Sequence, residues 1–226
     1  MAGFLVELRM YGYAKEYAKH RVYSVAKKFR VKGVTRKKVV PHVSLYGPGR
    51  TNDMAQVISA IRKVGQRYTL VPFKVKGFGH FDTTPKVIYL EITPSQQLKE
   101  LRWELSRELG KVSTGQSWDR GRHHAFHATI AFHDIDRKFN QIWSYLKSEE
   151  QPNIDQHLLR ITVIGKGRRI VCEYDLLLKR LLNRRQALSR FWWRRTWKRL
   201  RELQGLPPEK PTSPAGWLKR LFGLGE

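Results

Sequence analysis

Cysteine is almost absent from this 226-residue chain: Cys172 stands alone. An internal disulfide and a cluster of thiolate metal ligands are therefore excluded, and one unpaired thiol fits a reducing compartment. No apolar run approaches the roughly 20 residues that a membrane-spanning helix needs. No leader pattern of basic start, apolar middle and small-residue cleavage site precedes the first strand-like stretch. The expectation is a cytoplasmic protein without a transmembrane segment. Acidic residues are scarce: 19 Asp and Glu face 44 Lys and Arg, a formal charge of +25. Such a surface should attract a polyanion, either nucleic acid or an anionic membrane. The excess is not confined to a tail, since residues 1–175 hold 31 basic against 16 acidic residues and residues 176–226 hold 13 against 3. Nucleotide and metal signatures are missing too. There is no G-x-x-x-x-G-K-[ST] loop and no H-E-x-x-H, and Asp82 stands where a dinucleotide fingerprint begun by Gly77 and Gly79 would need its third glycine. That glycine pair reads as a hairpin bend.

What the chain does have is one pattern twice. His42-Val43-Ser44-Leu45 and His127-Ala128-Thr129-Ile130 both read histidine-x-hydroxyl-apolar, 85 positions apart, in stretches with strand character. Side chains alternate along a strand, so His42 and Ser44 share one face while Val43 and Leu45 anchor the other, and likewise for the second segment. Either histidine alone would be an ordinary strand residue bonded to nearby backbone. Two such strands side by side gather two imidazoles and two hydroxyls in one cleft, the equipment for acid–base chemistry on a phosphate without a cofactor or metal.

Periodicity predicts the surrounding elements. Phe4, Val6, Leu8 and Met10 alternate as a strand, and Ala14, Tyr17, Ala18, Val22, Val25, Ala26 and Phe29 follow at helical spacing. The His42 strand ends at Tyr46-Gly47-Pro48-Gly49, a turn signal. A helix is expected over 53–66, strands over 70–76 and 86–92, and a helix started by Thr93-Pro94-Ser95-Gln96 and stopped at Gly110. Residues 113–122, polar and glycine-containing, read as a mobile loop suited to be a lid before the second histidine strand at 124–132. A helix near 137–147 and strands near 157–164 and 169–174 complete the body. The mixture of hairpins and crossovers gives an α+β class.

With these residues in hand, residues 1–175 resemble the 2H phosphoesterase superfamily, defined by two H-x-[ST]-x motifs, and within it the 2′-5′ RNA ligase or RNA 2′,3′-cyclic phosphodiesterase family. Supporting features are Pro41 before His42, the Leu45-Tyr46-Gly47-Pro48 exit, the Gly77-Phe78-Gly79 segment and the Val87-Ile88-Tyr89-Leu90 strand. One departure is Phe132, where several members carry an arginine. The resemblance implies a bilobal fold of two pseudo-symmetric lobes, each offering one motif to a central groove. It implies hydrolysis of 2′,3′-cyclic phosphates on RNA, with reversible 2′-5′ ligation as a related activity. His42 would be the general acid and His127 the general base, an order assigned by resemblance alone. Ser44 and Thr129 would hold the phosphate oxygens, and Arg122 would assist. His123, His124 and His127 lie close in sequence, but a strand would splay them and no carboxylates complete a ligand set, so no metal site is expected.

The remainder divides into a basic helix over 176–205 and a Pro-rich linker with a short C-terminal segment over 206–226. From Leu176 to Leu203 leucines give way to Phe191, Trp192, Trp193 and Trp197 among ten Lys and Arg. Aromatics interleaved with cations suit RNA. An apolar stripe packed on the body with a solvated basic face is an equal reading, and docking to an anionic surface or a protein is a third. The expected partner is RNA with 2′,3′-cyclic phosphate ends, tRNA fragments included, acted on by a monomer. The alternative function is a non-catalytic RNA-binding protein using the same groove and basic tail.

Overall fold

A computed structural model describes residues 1–36 and 38–207. In chain order the elements are β1 (Ala2–Arg9), α1 (Gly12–Phe29), β2 (His42–Thr51), α2 (Met54–Gly65), β3 (Val71–Phe81), β4 (Val87–Pro94), α3 (Gln96–Gly110), β5 (His127–Phe132), α4 (Phe139–Ser148), β6 (Asn153–Leu158), β7 (Arg160–Ile164), β8 (Ile170–Asp175), β9 (Arg180–Asn183), α5 (Arg184–Ala187) and α6 (Arg190–Leu203). The strands form two antiparallel sheets, ordered β2-β1-β7-β8-β9 and β5-β4-β3-β6. The class is α+β, as the sequence pattern predicts.

One arrangement occurs twice. A strand, a helix, a histidine-bearing strand and a second helix follow one another as β1-α1-β2-α2 and again as β4-α3-β5-α4. In both, the histidine strand is the outer edge of its sheet. The helices interlock: α1, from the first sheet, packs on β5 of the second, and α3, from the second, packs on β2 of the first. The apolar halves of both motifs, Val43 and Leu45 with Ala128 and Ile130, enter one continuous core that also holds Val57, Ile61, Leu98, Leu101 and Leu105. Burying both strands by their apolar faces leaves the polar faces for a groove.

Several expectations are corrected. The 157–164 stretch is two strands: β6 pairs with β3 in the second sheet, and beyond Leu159 the chain passes to the first sheet as β7. The break is hidden because Leu158 and Leu159 join the end of β6 to the wholly buried β7 without a turn residue between them. Gly77-Phe78-Gly79 lies inside β3 at an irregularity in its pairing with β4, and the hairpin turn comes later, between Phe81 and Val87. Ser95, not Thr93, caps α3, its hydroxyl accepting from Leu98 N, because β4 keeps Thr93 and Pro94. Gly110 remains in the helix, whose cap at Lys111 is right-handed.

The largest correction concerns 176–203, which is not one helix. Asp175 Oδ1 accepts from the backbone N–H groups of Leu177 and Leu178 at 3.0 and 2.9 Å, and Lys179 takes a left-handed φ of 52°. This turn reverses the chain, so β9 pairs with β8, and α5 and α6 follow. The boundary expected at residue 175 therefore falls within a hairpin of the first sheet. Only Arg190–Leu203 is the basic helix, and the linker and final segment from Pro208 onward lie outside the described residues.

A buried polar group fastens α6 to the body. Arg160 Nε donates to Asp175 Oδ2 at 2.9 Å, Nη1 to Glu173 Oε2 at 3.1 Å, and Nη2 to Thr196 Oγ1 at 2.6 Å, while its guanidinium lies 3.8 Å from the Trp193 ring centre. Removing one partner of a buried ion pair leaves an uncompensated charge. Arg160→Ala should therefore lower unfolding free energy by about 3–5 kcal/mol, and Thr196→Val by roughly 1–2 kcal/mol, measured by urea denaturation. A loss under about 1 kcal/mol for Arg160→Ala would show that α6 is held by its aromatic packing alone.

Candidate active site

The groove begins with the two edge strands. β2 and β5 touch each other, and along each the burial alternates: His42, Ser44, His127 and Thr129 are partly exposed, whereas Val43, Leu45, Ala128 and Ile130 are buried. The structure thus gathers the four residues of the two motifs at one junction. Their backbones are held alike. Met10 N donates to the carbonyl of Pro41, just before His42, at 3.1 Å, and Ile92 N donates to the carbonyl of Phe126, just before His127, at 3.2 Å.

The rings are held alike as well. His42 Nδ1 lies 2.8 Å from Val40 O, and His127 Nδ1 lies 2.8 Å from Ala125 O, each bonding the carbonyl two residues upstream. A carbonyl only accepts, so each Nδ1 carries the proton and each Nε2 is left for proton exchange. The local bond that would make either residue an ordinary strand histidine is here the one that fixes its tautomer. Neither the Ser44 nor the Thr129 hydroxyl has a hydrogen-bond partner among the described residues, so both are open to a phosphate oxygen.

Beyond this symmetry the two rings differ. Glu7, buried on β1 and opposite Ser44, places Oε2 3.7 Å from His42 Nε2, and its Oε1 accepts from Arg9 Nε at 2.9 Å. His127 forms no ion pair with a carboxylate among the described residues, its cross-strand partner on β4 being the exposed Glu91; it sits against the rings of Phe81 and Tyr89, at centroid distances of 5.0 and 5.2 Å. Burial there holds the His127 pKa below its ordinary value, and the charge of His42 pushes the same way. Gly79 makes room for this wall, since a Cβ at that position would stand 2.4 Å from the Tyr89 ring. Glu7 was visible in the sequence as the lone acid on the polar side of the first strand, but alternation alone did not distinguish it from a solvated residue.

His124 also acts differently from its sequence reading. Its Nε2 donates to the backbone carbonyl of Ser44 at 2.9 Å, tying the approach to β5 directly to β2. Burial, then the charge of Arg102, push its pKa down to about 4, so it stays neutral and donating near neutral pH. His80 packs between Phe139 and Trp143, and the described residues hold no group of three or more His, Cys, Asp or Glu placed to bind a metal.

The expected free lid at 113–122 is instead bolted down. Buried Asp119 accepts from Gly47 N at 3.1 Å and from Gln116 N at 2.9 Å, Gln116 Nε2 donates to Pro48 O at 2.7 Å, and Arg50 and Thr114 exchange backbone bonds of 2.9 Å. Arg102, fully buried, donates to the carbonyls of Trp118 and Gly121. Polar composition predicted a loop, but these bonds fasten it to the exit of the first motif. Arg122 is not brought to the histidines either. It lies 5.6 Å from the Trp103 ring centre at a cavity of about 410 Å³ beside α3, which Lys99 and His123 also line. The cations near His42 are others: Arg9, Lys38 and Arg168 line a cavity of about 350 Å³ with Glu7 and His42.

Two consequences follow for pH. His124 and His127 both have folded pKa values below that of an exposed imidazole, so the unfolded chain binds more protons and stability falls as pH drops from about 6.5 through the folded values. In an NMR titration of ring carbon protons, His127 should titrate below 6.5 and His124 lower still, near 4; two ordinary midpoints near 6.5 would contradict this environment.

The model of the 2′-5′ RNA ligase superfamily matches residues 17–168. A protein of Geobacillus sp. (strain WCH70) named as a phosphoesterase is 30% identical over 69 residues, covering 30% of this chain and 40% of that protein, so the match spans less than half of that relative. Among solved structures, Usb1 of Kluyveromyces marxianus aligns at 14% identity with a TM-score of 0.46, over 80% of this chain and 97% of that one. A phosphoesterase crystal structure aligns at 13% identity with a TM-score of 0.42, over 75% and 93%. The family match takes in about two thirds of the sequence, both histidine strands included, and the chain belongs to the 2′-5′ RNA ligase superfamily.

Proposed function

We propose that the protein is an RNA-end phosphoesterase that opens 2′,3′-cyclic phosphates, with His127 as general base and His42 as general acid. The observation that carries this reading is the matched pair of Nδ1–carbonyl bonds on two touching strands, which leaves two Nε2 atoms for one reacting centre. Water attacks phosphorus while His127 Nε2 takes its proton. The bond from phosphorus to one ribose oxygen breaks, and His42 Nε2 gives that oxygen a proton, leaving a phosphomonoester beside a free hydroxyl.

Surroundings support this order of roles. A base must start neutral, and burial against Phe81 and Tyr89 favours the neutral ring of His127. An acid must start charged, and the Glu7 carboxylate supplies a countercharge to an imidazolium at position 42. Ser44 and Thr129, whose hydroxyls are unengaged, would donate to the non-bridging oxygens as charge builds on them. Attack by a ribose 5′-hydroxyl instead of water would use the same groups with proton roles exchanged between directions, giving ligation without a nucleotide cofactor.

The test is turnover of a short oligoribonucleotide ending in a 2′,3′-cyclic phosphate, in the presence of EDTA. His42→Ala and His127→Ala should each lower kcat by about 10²–10⁴-fold, and Ser44→Ala or Thr129→Ala by about 10²-fold. Glu7→Gln, which keeps shape and removes the charge, should lower kcat by about tenfold or more without a matching rise in KM. The acid limb of the kcat/KM profile should fall below pH 6.5, where His127 becomes protonated. RNA binding without turnover in the unaltered protein would favour the non-catalytic RNA-binding alternative.

A further inference from the structure

α6 packs on the first sheet beside the candidate active site, and it presents an outer face of rings and cations. Trp192 packs against an apolar cluster of Ile164, Ile170, Leu182 and Ala187, and Leu5 packs against the same cluster. Two of these, Leu5 and Ile164, also line the cavity that contains His42 and Arg168. Trp192 and the candidate active site therefore share a wall. From Trp192 outward runs an alternating ladder: the Arg180 guanidinium lies 4.4 Å from the Trp192 ring centre, that of Arg195 lies 5.2 Å from Trp192 and 5.7 Å from Phe191, and Phe191 meets Trp192 edge to face at 5.6 Å.

Two features separate this face from an ordinary solvated helix surface. Phe191 is 59% exposed although buried apolar area exists beside it, so its ring remains open for stacking. Arg168, Arg180 and Arg195 have no carboxylate partner among the described residues, while other surface cations such as Lys63, Arg67 and Lys111 do. Planar guanidinium groups alternating with rings, and open to solvent, match a strand of stacked bases with a phosphate at each step.

We infer that the Arg180–Trp192–Arg195–Phe191 ladder is a binding track for single-stranded RNA, taking the nucleotides on the 5′ side of the reacting end while Arg168 bridges track and cavity. This rests on the Proposed function for its placement of the RNA end, though not for the affinity of the ladder itself. The helix serves both readings given to it from sequence. Its inner stripe of Thr196, Leu200 and the half-buried tryptophans docks on the body, and its outer face carries the ladder.

The experiment uses the full chain and the double variant Phe191→Ala, Arg195→Gln, with Arg195→Lys as a charge-preserving control. Affinity is read by fluorescence anisotropy of a labelled oligoribonucleotide with an ordinary 3′-hydroxyl end, and turnover is read on a nucleoside 2′,3′-cyclic phosphate too small to reach the ladder. Expected are a roughly tenfold or greater loss of oligonucleotide affinity, a shallower salt dependence by about one unit of log–log slope, an intermediate loss for Arg195→Lys, and unchanged turnover of the small substrate. Unchanged affinity and salt slope would overturn the track, as would equal losses on both substrates, which would mean general damage. So would loss of binding to phosphatidylserine vesicles with RNA affinity retained, which would assign the face to a membrane. If the unaltered protein does not turn over the cyclic phosphate but the variant still loses RNA affinity, the track stands and the proposed activity falls.

Discussion

Everything in the candidate site depends on the meeting of two edge strands from different sheets. Hydrogen bonding cannot join β2 to β5 as neighbours in one ladder, since each belongs to its own sheet. They are brought together by a shared apolar core on one side of each strand and by the reach of α1 and α3 across to the opposite sheet. The His124 bond to Ser44 O adds a polar fastening at the junction. A one-residue slip in either strand would turn its histidine into the core, so burial of Val43, Leu45, Ala128 and Ile130 fixes the face that carries the histidines as firmly as it fixes the fold.

The two halves are alike in arrangement, and the environment breaks the likeness. Both rings share the bond that fixes the tautomer, and both preceding carbonyls are held by the adjacent central strand. One ring then faces a buried carboxylate, the other two aromatic rings. Two chemically identical side chains thus sit in unlike surroundings, which suits a reaction with one proton acceptor and one proton donor. The carboxylate is itself part of a polar row on the same face of the first sheet. Glu7 lies opposite Thr162, Thr162 opposite Glu173, and Glu173 shares Arg160 with the α6 anchor. The C-terminal helix is thus built into the sheet that carries His42.

Much of this was legible in the sequence wherever a single periodicity governed. Alternation at residues 42–45 and 127–130 gave the strands, their facing and the four motif residues, and helical spacing at 53–66 and 137–147 gave α2 and α4 to within two residues. Misreadings arose where long-range bonds outvoted local pattern. Leucines after Asp175 scan as a helix, but its carboxylate captures two backbone N–H groups and turns the chain into a hairpin. Polar residues 113–122 scan as a free loop, but Arg102 and Asp119, distant or unremarkable in sequence, bury themselves to hold it. Arg122 is near the second motif in sequence, yet it turns toward Trp103. Glu7 and His124 act through partners 35 and 80 residues away, which no local pattern encodes.

The central claim is that both imidazoles, each protonated on Nδ1 when neutral, converge through Nε2 on one phosphate. Long-range proton–nitrogen NMR of the histidine rings, with and without a non-hydrolysable cyclic phosphate analogue, tests it directly. The account predicts the Nδ1–H tautomer for His127 near neutral pH, with the Nε2 signals of both His42 and His127 moving together when the analogue is added. An Nε2–H tautomer at His127, or movement of one ring while the other stays still, would contradict it.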